Sequence, residues 1–102
     1  MKVNVEQNAV VNLVPLLNPQ DNDLITVEFD MGSAGCVYIG WSNGTLSDVE
    51  DVKQSAKRVV PDSQLARRSV RYKTGMNIYL TNTSVNACNM LCIIDNGVDD
   101  YF

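Results

Sequence analysis

Three cysteines, Cys36, Cys88 and Cys92, carry the most reactive side chains of this 102-residue chain, which has no histidine. The spacing of Cys88 and Cys92 raises the idea of a metal site. A closed zinc site needs four ligands, and only one further cysteine, distant in sequence, remains to supply them, so the expectation is no metal. Without histidine, neither a Ser-His nor a Cys-His pair can activate a nucleophile. An odd number of cysteines cannot pair completely. Each lies in an apolar stretch and reads as a free, inert thiol acting as a small apolar side chain. Met31-Gly32-Ser33-Ala34-Gly35 is too short for a phosphate-cradling loop and lacks the Lys-Ser/Thr ending. Glu28 and Asp30 are a carboxylate pair at i, i+2, which puts them on one outward strand face, where such charges are solvated. The expectation is a protein that is not an enzyme and carries no cofactor.

The basic residues carry the next signal. Net charge is −4, yet seven of the eight cations fall between Lys53 and Lys73: Lys53, Lys57, Arg58, Arg67, Arg68, Arg71 and Lys73. An acidic chain is a poor general binder of nucleic acid. The basic third suits an acidic protein partner, or else forms a solvated face. In Gln64 to Tyr72, period two puts Arg67, Ser69 and Arg71 on one face and Arg68, Val70 and Tyr72 on the other. Arg67 and Arg71 then stand about 13 Å apart, a spacing for two separate carboxylates on a partner. Two sequons, Asn43-Gly44-Thr45 and Asn82-Thr83-Ser84, read as turn chemistry.

The elements that must position these side chains are mostly short strands. Asp23 to Asp30 alternates, with Ile25, Val27 and Phe29 on one face. Cys36 to Trp41 repeats the pattern with Val37, Ile39 and Trp41, which puts the single tryptophan in the core. Met76 to Leu80 places Met76, Ile78 and Leu80 together. Cys88 to Ile94 is apolar on both faces, as a central strand would be, or one whose outer face a partner covers. The predicted core is Ile25, Val27, Phe29, Val37, Ile39, Ile78, Leu80, Cys92 and Ile94. Ser47-x-x-Glu50 fits a capping box, and Val49, Val52, Ala56 and Val59 follow at helical spacing, so a short helix over 48–58 competes with a long polar loop. Short connections around Gly44 and Gly75 favour antiparallel neighbours.

Val10 to Leu17 is very apolar and contains Pro15, which argues for an edge strand or an extended arm that meets another chain. Val11, Leu13, Leu16 and Leu17 are therefore candidate partner-binding residues, together with Arg67 and Arg71. The fold class is all-β and mainly antiparallel: a β-sandwich or jelly-roll-like barrel with an N-terminal extended arm and one short helix near 48–58. A single domain spans 1–102, with 1–20 as the arm or edge strand and 21–102 as the sandwich. No apolar run approaches a membrane span. The first eight residues lack the pattern of a secretory signal, so synthesis in a cytoplasm is expected.

The segment Val37-Tyr38-Ile39-Gly40-Trp41-Ser42-Asn43-Gly44-Thr45 is followed by Val59-Val60-Pro61-Asp62-Ser63-Gln64-Leu65 and by Asn77-Ile78-Tyr79-Leu80-Thr81-Asn82. Over residues 24–95 this pattern resembles small structural proteins of tailed bacteriophages, in which a Val-Tyr-Ile-Gly strand and turn precede a Pro-Gly turn and an Ile-Tyr strand. Asp62 stands where that group has glycine, and 47–58 is longer and more charged. The resemblance implies a β-sandwich on the virion surface: a capsid decoration (cement) protein bound to the major capsid protein, a head-fibre base, or a tail-associated module. A homo-oligomer on the particle is the matching expectation. The alternatives are a receptor- or carbohydrate-binding module of a fibre or tail, which needs an exposed aromatic platform, and a host-directed phage protein.

Overall fold

The computed structural model describes residues 1–30, 35–44, 46, 48–54, 56–60 and 67–95, the side chains of 56–60 and 95 excepted. Among the described residues are eight strands and two short helices, in the order β1 (Lys2–Val5), β2 (Val10–Asn12), α1 (Leu13–Leu17), β3 (Leu24–Phe29), β4 (Val37–Ser42), α2 (Val49–Gln54), β5 (Ala56–Val60), β6 (Arg67–Arg71), β7 (Asn77–Asn82) and β8 (Cys88–Asp95). They form two four-stranded sheets. The first has the order β1-β8-β3-β6 and the second β2-β7-β4-β5, and every strand pair is antiparallel.

The order has a simple origin. The pairs β4–β5, β3–β6, β2–β7 and β1–β8 nest around one tip, as in a single long hairpin. Rolling that hairpin up adds the pairs β3–β8 and β4–β7. The result is the topology of an eight-stranded jelly roll, laid out as a sandwich of two sheets and not a closed barrel. Only β4 and β5 are neighbours both in sequence and in a sheet; the other connections cross from one sheet to the other. The turn at Gly75, where φ is +94°, reverses the chain as its sequence suggests. It delivers β7 to the opposite sheet, however, and not alongside β6.

Alternation along the strands fills the space between the sheets. Ile25, Val27, Phe29, Val37, Ile39, Ile78, Leu80 and Cys92 are buried, as their period-two spacing predicts, and Ile94 packs half-buried at the margin. Each fully buried aliphatic side chain contributes roughly 1.5–3 kcal/mol relative to exposure. Trp41 also packs against this core, half-buried.

The first seventeen residues belong to the sandwich. β1 pairs with β8 at one edge of the first sheet, and β2 pairs with β7 at the same edge of the second. Of the two readings, arm or edge strand, the chain takes the edge strand for residues 2–12. Val3, Val5 and Leu13 are buried in the core. Pro15 lies in the first turn of α1, where backbone N–H groups have no helical acceptor to lose. Asn12 caps that helix by accepting from the Val14 N–H at 3.1 Å, and Asn18 ends it at φ +51°.

The predicted helix over 48–58 is half right. α2 runs only from Val49 to Gln54, and Ala56–Val60 is a strand paired with β4. Helical periodicity in Val49, Val52, Ala56 and Val59 is outweighed by the open edge of β4, which offers the chain a ladder of backbone hydrogen bonds. Asp48 supplies the cap, accepting from the Asp51 N–H at 2.9 Å. Ser47 of the proposed capping box lies outside the described residues, as do Pro61 to Leu65 of the phage-like pattern.

Asn82 joins the two sheets where the chain crosses between them. It is fully buried at the end of β7. Its Nδ2 donates to the carbonyls of Val5 at 2.9 Å and Asn86 at 2.8 Å, and its Oδ1 accepts from the Ser84 N–H at 2.8 Å. One side chain thus ties the β1–β2 crossover to the β7–β8 crossover. The Asn-Thr-Ser sequon is accordingly turn chemistry on an inaccessible asparagine.

Candidate functional site: the open face of the first sheet

The two outer faces of the sandwich differ. On the second sheet, α2 packs over β4 and β7. Val52 of α2 is fully buried there, with Tyr79 and Thr81 of β7. The Lys53 ammonium sits 5.6 Å from the centre of the Tyr38 ring. Gly44 closes the lower end, its carbonyl accepting from Asn77 Nδ2 at 3.0 Å and from the Tyr79 hydroxyl at 3.4 Å.

The outer face of the first sheet keeps its side chains in reach of solvent. Register places Lys2, Leu91, Glu28 and Arg67 in one row across β1, β8, β3 and β6; Ile93, Thr26 and Ser69 form the next, and the positions of Asp95, Leu24 and Arg71 follow. Ile93 is 42% exposed, while Leu24 and Leu91 are half-buried. These aliphatic side chains form a short apolar stripe. Thr26 and Ser69 hydroxyls meet at 3.2 Å beside it. At one end Asn4 donates to Asn89 Oδ1 at 2.8 Å.

Charges frame the stripe on both sides. Arg67 donates through Nε at 3.1 Å and through Nη2 at 3.0 Å to Glu28 Oε2. Lys2 pairs with Asp30 at 3.4 Å. Both pairs are exposed and contribute little stability by themselves. Arg71 donates from Nη1 to the Asn22 carbonyl at 2.9 Å and makes no ion pair among the described residues. Next to it, Lys73 donates to Asn22 Oδ1 at 2.7 Å. Asp21 accepts from both the backbone N–H and the hydroxyl of Thr74, at 2.8 and 3.1 Å, and these bonds hold its carboxyl below the usual range.

The six residues singled out in the sequence separate into two groups. Arg67 and Arg71 lie on one face of β6, as period two predicts, and that face is the open one. Leu13 is a fully buried core residue, Val11 and Leu17 pack half-buried against the core, and Leu16 is 44% exposed. No single surface joins the apolar four. Sequence reasoning noted the apolar outer face of residues 88–94, which holds Leu91 and Ile93, but missed Leu24 beside it. β8 is a central strand, between β1 and β3.

Among the described residues there is no cluster of metal-ligating side chains. Burial pushes the Cys92 thiol up to about 11, so it stays protonated at neutral pH. No helix among the described residues is long and apolar enough to cross a membrane. Compared with protein-family models, curated proteins and solved structures, the chain matches none.

Proposed function

We propose that this chain is a non-enzymatic structural protein of a virion: a decoration, or cement, protein that binds the major capsid protein of a tailed-phage head. The observation that carries this reading is the jelly-roll strand order in a small domain with one sheet face left open. Jelly rolls recur as capsid domains, and the argument from topology to virion is one of fold analogy. The phage-like strand and turn pattern of residues 37–45 and 77–82 points the same way and rests on sequence alone. A cement protein does no chemistry. It stabilises the assembled shell because it binds the assembled state and not its separated subunits. Many copies on a symmetric lattice need only modest affinity each.

Jelly rolls also occur in lectins, which keeps the carbohydrate-binding alternative in view. That reading asks for an aromatic platform. Tyr72 and Tyr79 are buried, Trp41 packs against the core, and Tyr38 lies beneath Lys53. Among the described residues the aromatic side chains therefore give it no support.

The test is copy number and shell stability. Purified particles should carry the chain at a ratio to the major capsid protein fixed by the lattice. Particles made without it should lose their genome at a lower temperature. A handful of copies per particle would place the chain in a tail or vertex instead, and its absence from particles would favour the host-directed alternative.

A further inference from the structure

We infer that the outer face of the first sheet is the docking surface, and that its partner is an acidic patch of protein, which on the decoration reading belongs to the capsid shell. The proposal moves the point of attachment away from the N-terminal segment, whose β1, β2 and Leu13 are spent on the chain's own sheets and core.

Three observations carry it. First, the face has the layout of an interface: an aliphatic centre of Leu24, Leu91 and Ile93 inside a polar rim. Second, it holds a cation that the chain itself does not neutralise. On a chain of net charge −4, Lys2 and Arg67 of this face are paired with Asp30 and Glu28, and register adds Asp95 beside Leu24, yet Arg71 stays a cation with no ion pair among the described residues. Third, the two arginines are already oriented. Glu28 holds the Arg67 guanidinium through one carboxylate oxygen, and the Asn22 carbonyl holds that of Arg71. Each keeps donors free for an incoming carboxylate, and little side-chain freedom is left to lose on binding. A second copy of this chain as the occupant is an outcome of the test below.

Charge complementarity makes the signs of three substitutions predictable. Arg71→Glu reverses the free cation and should weaken binding at least about tenfold. Ile93→Asp places a charge in the apolar centre and should weaken it by a similar factor. Glu28→Gln removes a like charge facing the partner while keeping an acceptor for Arg67, so it should tighten binding, most at low salt. All three positions face solvent, and circular dichroism and melting curves establish that each variant is folded.

The experiment titrates purified chain onto heads made without it, at low and high sodium chloride, and reads bound copies per head. Opposite signs for Arg71→Glu and Glu28→Gln, both damped by salt, are the expected result. Wild-type chain that binds no heads at any salt sinks the decoration reading itself. Wild-type chain that binds while Ile93→Asp and Arg71→Glu bind equally well overturns the docking face and leaves the decoration reading standing. Weakening by Glu28→Gln would mean a basic partner and also overturns it. A dimer of free wild-type chain in sedimentation that Ile93→Asp converts to monomer assigns the face to a second copy and rejects the proposal.

Discussion

The two sheets share one core but treat their outer faces in opposite ways. The second sheet carries α2, and beneath it Val52, Tyr79 and Thr81 are buried as completely as the residues between the sheets. The first sheet leaves Leu24, Leu91 and Ile93 partly in water, between ion pairs. Helix α2 lies in the β4–β5 connection, which is the tip of the long hairpin that the jelly roll winds up. The tip folds back on the sheet it belongs to, and among the described residues no such segment belongs to the first sheet. Coverage of one face and openness of the other thus follow from where the extra residues sit in the winding. Apolar surface on the covered face supports stability, while that on the open face stays partly in contact with water.

The contrast is broken most sharply by placing the same charge on each side. Val52→Asp buries an unpaired carboxylate beneath α2 and should cost about 3 kcal/mol or more. Ile93 is only partly covered, so Ile93→Asp should cost far less, about 1 kcal/mol. Urea denaturation of both variants measures the difference. Equal losses would mean that the first sheet's outer face is as important to folding as the covered one.

The next effect concerns the joint between the sheets, without which the faces could not be compared as parts of one body. Asn82→Ala leaves the Val5 carbonyl and the Ser84 N–H without their buried partner. A loss of about 2–3 kcal/mol is expected, read as a lower urea midpoint with an unchanged slope. A changed slope would instead indicate that the crossovers had come apart.

The smallest effect lies at the edge of the open face. The Thr74 backbone N–H and hydroxyl bonds lower the Asp21 pKa from its ordinary 3.8, so the carboxylate favours the folded state at pH values above 3.8. That contribution fades as pH falls below 3.8 through the lower folded-state value. Melting temperatures of wild type and Asp21→Asn should therefore differ by a constant amount at neutral pH and converge in acid. A difference that persists unchanged to the lowest pH would assign the effect to shape and not to the charge of Asp21.

Much of this could be read before any fold was known. Period-two alternation in residues 23–30, 37–41 and 76–80 determined which side chains enter the core, because adjacent strand residues point to opposite faces whatever the neighbouring strand is. The same rule put Arg67 and Arg71 together. Composition alone left no histidine for a nucleophile's base. What the sequence could not give was partnership. A turn residue such as Gly75 marks where the chain reverses, but hydrogen bonding across sheets is decided by how the whole hairpin rolls up. For the same reason Val10 to Leu17 looked like surplus apolar surface until β7 and the core were there to receive it. Ala56–Val60 likewise became a strand because the edge of β4 was open to it. Local pattern set each side chain's direction, and long-range pairing alone decided what each direction faced: core, helix or water.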